Sequence, residues 1–140
     1  MNEDTITQTS AAPSSVSNGI ARFGAGLTGL VVLFLAFDGI TKVARVKPVM
    51  EACQKMNISP EMAVGIGILL LACTTLYAIP RTAILGAVLL TGYLGGAAAT
   101  HVITRSGTFP TAFAIGIGVF VWVGLVLREP RLVGWIFSPS

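Results

Sequence analysis

The chain places its one histidine and a tyrosine on the same face of an apolar segment. His101 is preceded, four and eight positions earlier, by Ala97 and Tyr93. Residues four apart share a face of an α-helix, and a separation of eight residues spans about 12 Å. The small Ala97 leaves a recess in which a neutral planar head group fits between the phenol and the imidazole. The candidate ligand site comprises Tyr93, Ala97, His101, Arg105 and Trp122. The alternative is that His101 and Tyr93 bond to neighbouring helices, because buried polar groups in lipid need partners in either case.

A carboxylate and an ammonium group are the second candidate for chemistry. Asp38 and Lys42 lie four residues apart, with the acid first, which is the favourable order for an ion pair on a helix. The pair is either structural, with Lys42 extended towards the membrane surface, or a proton or cation site at Asp38. Ionisable residues inside a membrane are costly, so both interpretations stay open.

Small residues form a second face beside the histidine and tyrosine. Gly92 and Gly96 are a GxxxG pair, a spacing that allows close helix packing in membranes. This face predicts packing within a helical bundle or, alternatively, a homodimer contact. Its residues are Gly86, Gly92, Gly95, Gly96 and Thr100.

Several classes of chemistry find no support in the residues. There is no nucleophile–base–acid set, no phosphate-binding loop and no metal cluster. Cys53 and Cys73 are twenty positions apart and lack zinc spacing. A haem held by His101 alone would need a second chain. We therefore expect no metal and no enzyme acting by itself.

The elements that must position these residues are membrane helices. The 140 residues are 54% hydrophobic and 11% charged, with a mean hydropathy of +0.82, whereas soluble domains carry about 25% charged residues. Four apolar segments have the length of a spanning helix, and four non-alternating runs cannot close a barrel. The predicted fold is an all-α, antiparallel four-transmembrane-helix bundle with helices at about 20–44, 61–79, 81–104 and 110–127.

The remaining segments complete the predicted domain organisation. Residues 1–18 are polar and predict a disordered tail, and residues 19–137 predict a single membrane domain. The link between the first two spans has apolar residues at helical spacing, which indicates a short interfacial helix. An even number of spans places both termini on one side. Basic residues divide five to four between the two sides, which does not fix the orientation, and we take the termini as cytoplasmic.

The third and fourth segments carry a family resemblance. The stretches "IPRTAILGAVLLTGYLGGAAATHV" and "VFVWVGLVLREPRL" resemble the DoxX-like family of small four-helix membrane proteins, over about residues 25–137. The resemblance implies a bacterial-type plasma-membrane protein without a settled activity. It also links the chain to membrane redox complexes, because the family takes its name from a subunit of a quinone-reducing oxidoreductase.

Three functions follow as hypotheses. The first is an accessory or non-catalytic subunit, for example of a membrane oxidoreductase, that binds either an apolar ligand such as a quinone or a partner protein. The second is a small proton-coupled transporter that uses Asp38. The third is an assembly factor that holds another membrane protein, or a second copy of this chain, through the glycine face. We expect no nucleic-acid partner, because the basic residues form no stripe.

Overall fold

The computed structural model describes residues 15–128, and within them the chain is helical without strands. The all-α prediction is confirmed. Proline and serine mark one helix start clearly: Ser59 Oγ accepts a hydrogen bond from the Met62 amide at 3.3 Å, with Pro60 in the first turn. The helices are α1 (Ser15–Val43), α2 (Lys47–Lys55), α3 (Pro60–Ala78), α4 (Ala83–Ile103) and α5 (Thr108–Arg128).

The helix bounds differ from the predicted ones by a few residues. Helix α1 begins at Ser15, inside the segment predicted as a disordered tail. The rest of that predicted tail, and the part of the predicted domain after residue 128, lie outside the described residues. Helix α4 begins at Ala83 rather than at 81, because Thr82 closes the preceding turn: its Oγ1 donates to the Leu76 carbonyl at 2.8 Å.

Four of the described helices are long and apolar enough to cross a membrane. They are α1, α3, α4 and α5, whereas α2 is too short. Helix α1 packs against α3 and α5, and α4 packs against the same two helices on the opposite side. The short links make neighbours antiparallel. The bundle thus has the cyclic order α1, α3, α4, α5, and α2 lies at the end of the bundle where α1 finishes and α3 begins.

The bundle is closely packed at the end away from α2. Tyr77 is fully buried there, and its hydroxyl donates to the Val121 carbonyl at 2.7 Å. Glycines admit the neighbouring helices: a Cβ at Gly86 would overlap the Tyr77 backbone, and one at Gly124 would lie 2.9 Å from Thr28 Oγ1. A Cβ at Gly24 would lie 2.7 Å from the Arg128 amide nitrogen. These glycines bring two helix pairs together near Tyr77, α3 with α4 and α1 with α5.

The other end of the bundle is covered by α2, which is amphipathic. Cys53 faces the bundle and is 4% exposed, whereas Glu51 and Lys55 are exposed. Pro48 occupies the first turn, where the missing amide hydrogen costs no helical hydrogen bond. Helix α2 contacts both α3 and α1, and it thereby forms one wall of the space described next.

Candidate functional site

A cavity of about 640 Å³ lies between the helices at the α2 end of the bundle. The second halves of α1 and α4, the first halves of α3 and α5, and the inner face of α2 form its walls. Its lining is mainly apolar, with a few polar side chains. Ligand pockets in proteins are typically of about 300–1,000 Å³ with this composition, so the space is large enough for a small molecule.

Small side chains produce this space. Helix α4 contributes Gly96, Ala97 and Thr100 to the wall, and α3 and α5 contribute Ala63 and Ala114. A Cβ at Gly86, in the first half of α4, would overlap the backbone of α3, whereas a Cβ at Gly96 would meet no atom within 4 Å. The run of small residues before His101 therefore lines a cavity along one face.

Asp38 and Lys42 form an ion pair in the wall of the cavity. Lys42 Nζ donates to Asp38 Oδ2 at 2.5 Å, one helical turn apart. The lysine side chain is 15% exposed and the aspartate side chain 36%. Each charge therefore has a fixed partner of opposite sign, which lowers the cost of placing both beside apolar walls.

Tyr93, Ala97 and His101 also line this cavity. Among the described residues, neither the Tyr93 hydroxyl nor the His101 ring makes a hydrogen bond within the protein, and His101 Nδ1 is buried. A buried polar atom without a partner costs about 1–3 kcal/mol. The Thr100 hydroxyl, by contrast, is satisfied by the Gly96 carbonyl at 2.9 Å. Tyr93 and His101 thus keep free hydrogen-bonding capacity for a ligand.

The other two residues of the candidate ligand site lie away from the cavity. Trp122 lines a separate groove between α4 and α5, and its Nε1 donates to Thr91 Oγ1 at 2.9 Å. Arg105 is exposed in the turn after α4, with a positive φ of 51°. The structure therefore groups Tyr93, Ala97 and His101 with Asp38 and Lys42, and it separates all five from Trp122 and Arg105.

The glycines of the predicted packing face of α4 lie in two different environments. Gly86 packs directly on the α3 backbone. A Cβ at Gly92, Gly95 or Gly96 would meet no atom within 4 Å in the described part of the chain. These three glycines accommodate no helix of their own bundle, so a role for them in packing requires a partner outside the chain.

Helix α2 contributes cavity residues that the sequence-based site left out. Val49, Cys53 and Met56 line the space from this side. Burial raises the pKa of the Cys53 thiol above its ordinary value, and the nearby Lys42 charge partly opposes this. Their helical spacing was the available signal, but it indicates only an apolar face and not what the face covers.

Within residues 15–128, no group of three or more His, Cys, Asp or Glu side chains is arranged to hold a metal ion. The polar atoms of the cavity are one ion pair, a phenol, an imidazole and a hydroxyl. This set can orient an uncharged head group by hydrogen bonds.

Comparison with known proteins bears on the same part of the chain. The sequence model of the DoxX-like family matches residues 26–124. Neither a curated protein nor a solved structure matches the chain. The matched range contains the cavity, from the α1 wall to the α5 wall.

Proposed function

Because the chain belongs to the DoxX-like family and is a multi-pass integral membrane protein, we propose that its cavity binds one apolar molecule with an uncharged polar head group. The observation that carries the proposal is the pairing of unfilled space with unsatisfied polarity. His101 lines a cavity of about 640 Å³, and its Nδ1 is buried without a partner in the described residues.

The chemistry of the walls favours this class of ligand over ions and water-soluble metabolites. Asp38 and Lys42 neutralise each other, so the cavity offers no net charge to a charged substrate. Tyr93 and His101 offer a donor and a donor-or-acceptor. A quinone carbonyl or a lipid hydroxyl is an appropriate partner, and an isoprenoid quinone combines such a head with apolar bulk.

Filling the cavity tests the proposal directly. In Ala97→Leu the larger side chain occupies the space, whereas Ala72→Leu makes the same change at an exposed site of α3 outside both the cavity and the groove. We expect native mass spectrometry and solvent extraction to detect a co-purifying lipid or quinone in the wild type and in Ala72→Leu, and to find it depleted in Ala97→Leu. Equal occupancy in all three proteins, or none in any, would refute the proposal.

His101 is tested separately, because the cavity could accept a ligand without it. His101→Ala removes the ring, and His101→Gln keeps a group that can donate and accept. We expect occupancy to fall about tenfold in His101→Ala, the effect of one lost hydrogen bond to a ligand of about 1.4 kcal/mol, and to recover in part in His101→Gln. Unchanged occupancy in His101→Ala would remove the histidine from the site.

We further propose that the protein acts as an accessory subunit of a bacterial-type plasma-membrane complex, with its termini in the cytoplasm. The open glycines of α4 support a second candidate, in which this face holds a partner membrane protein or a second copy. Gly92→Leu would then abolish a cross-linked species seen in native membranes. Recovery of the wild-type protein as a monomer without any cross-linked species would contradict this second candidate.

A further inference from the structure

A groove of about 420 Å³ runs along the outer surface of the bundle between α4 and α5. Its walls are almost wholly apolar, with Gly95 and Gly118 at its base and Trp122 at one end. The one indole N–H at that end is already bonded to Thr91. The groove therefore presents no free donor to a ligand, and hydrocarbon is the chemistry that matches it.

The groove and the cavity share two wall residues. Leu94 and Ala114 line both spaces. Each is 7% exposed, so the two buried side chains separate the cavity from the groove between α4 and α5. A Cβ added at Gly118 would lie 3.8 Å from Leu94 Cδ1, an ordinary van der Waals distance, so the glycine leaves room for a methyl group beside the leucine. Joining the two spaces requires the Leu94 side chain to move, which we take to be a change between staggered rotamers.

We propose that the cavity and the groove are two parts of one site for a lipid with a polar head and a long unbranched or isoprenoid tail. The inference rests on the proposed function, since it takes the cavity as the site of the head. The head lies beside Tyr93 and His101, and the tail passes between Leu94 and Ala114 into the groove towards Trp122. The ligand class is thus a long-tailed amphiphile and not a compact ring compound.

Continuity with the cavity is the reason to assign the groove to this tail. A bilayer acyl chain would reach the groove from the lipid alone and would have no relation to the head-group residues. The tail proposed here couples the two spaces, so a change in the groove alters binding of a molecule whose head lies elsewhere. That coupling can be measured.

Two benzoquinone probes separate head from tail: one carries a decyl chain, and the other has a methyl group in its place. Gly95→Leu fills the groove, and Gly65→Leu is the matched control, an exposed helical glycine of α3 with open space around it and outside both pockets. Binding is measured by equilibrium dialysis of protein in nanodiscs against empty nanodiscs, which corrects for partition into lipid. We expect Gly95→Leu to weaken decyl-probe binding about tenfold or more, the effect of losing two or more buried methylenes. Binding of the methyl probe should be unchanged in Gly95→Leu. Binding of both probes should be unchanged in Gly65→Leu.

A terminal bromine on the decyl chain locates the tail. In a Trp135→Phe background the remaining tryptophan is Trp122, and we expect the brominated probe to quench its fluorescence in wild-type nanodiscs but not in Gly95→Leu. The tail inference would be overturned if Ala97→Leu weakened the binding of both probes equally and Gly95→Leu had no effect on either. That result would still support the cavity as the site of the head group. Absence of saturable binding of either probe to the wild type would overturn both.

Discussion

Two tyrosines show how the same residue type serves opposite purposes in this bundle. Tyr77 is fully buried and donates to a carbonyl of α5, so it stabilises the closely packed end. Tyr93 lines the cavity and, among the described residues, has no such bond. The sequence singled out Tyr93 because it shares a helical face with His101, and it gave no comparable signal for Tyr77, whose acceptor is 44 residues away.

Replacing each tyrosine with phenylalanine separates the two roles. Tyr77→Phe removes a buried hydrogen bond and should lower the free energy of unfolding by about 1 kcal/mol. Tyr93→Phe should leave stability nearly unchanged and weaken the binding of a head group instead. Thermal unfolding in mild detergent measures the first effect, and probe binding in nanodiscs the second. A larger loss of stability in Tyr93→Phe than in Tyr77→Phe would contradict this assignment.

Cys53 provides a reactivity test of the α2 wall. Burial raises the pKa of its thiol, and only the thiolate reacts with alkylating reagents. In a Cys73→Ala background, the alkylation rate should therefore stay low near neutral pH and continue to rise at a pH where an exposed thiol has already reached its plateau. The control is Lys55→Cys in the Cys53→Ala, Cys73→Ala background, which places a thiol on the exposed side of the same helix.

The pH dependence of the alkylation rate, compared between Cys53 and the Lys55→Cys control, shows whether the Cys53 thiol is desolvated. A midpoint for Cys53 at or below that of the exposed control would show that its thiol is not desolvated. A bound ligand should slow Cys53 alkylation without affecting the control, because Cys53 lines the cavity.

At the scale of elements, α4 uses small residues in two ways. Near its start, Gly86 allows the backbone of α3 to approach, and near its end small residues leave space open. Hydropathy and segment length predicted the four spans, and apolar residues at helical spacing predicted the short helix between the first two. They could not predict which glycines meet a neighbour, because the GxxxG spacing is the same whether a helix fills it or not.

The difference between the two glycine environments predicts opposite responses to alanine. Gly86→Ala forces a Cβ into the Tyr77 backbone and should cost about 1–3 kcal/mol or more. Gly92→Ala meets open space and gains helix propensity, so it should be neutral or stabilising by up to about 1 kcal/mol. The melting temperatures of the two variants in one detergent measure the difference. Similar losses in both would mean that Gly92 is also covered, which would point to a partner on that face.

At the scale of the whole molecule, the two ends of the bundle differ in packing. The closely packed end holds Tyr77 and the turn between α3 and α4, and the α2 end holds the cavity and its polar groups. The spans and their antiparallel order followed from the sequence. The difference between the two ends depends on which small residues lie opposite one another across the bundle. The orientation of the bundle in the membrane determines which compartment adjoins the cavity end.

Accessibility of single cysteines tests this orientation. Lys55 in α2 and Ser106 in the turn between α4 and α5 are exposed at the cavity end, whereas Arg81 is exposed in the turn at the closely packed end. In a cysteine-free background, a membrane-impermeant maleimide should label Lys55→Cys and Ser106→Cys from one side and Arg81→Cys from the other. With cytoplasmic termini, Arg81→Cys reacts only in inverted vesicles and the other two only in right-side-out vesicles. The reverse pattern would place the cavity end in the cytoplasm, and labelling of Lys55→Cys and Arg81→Cys from the same side would contradict the four-span bundle itself.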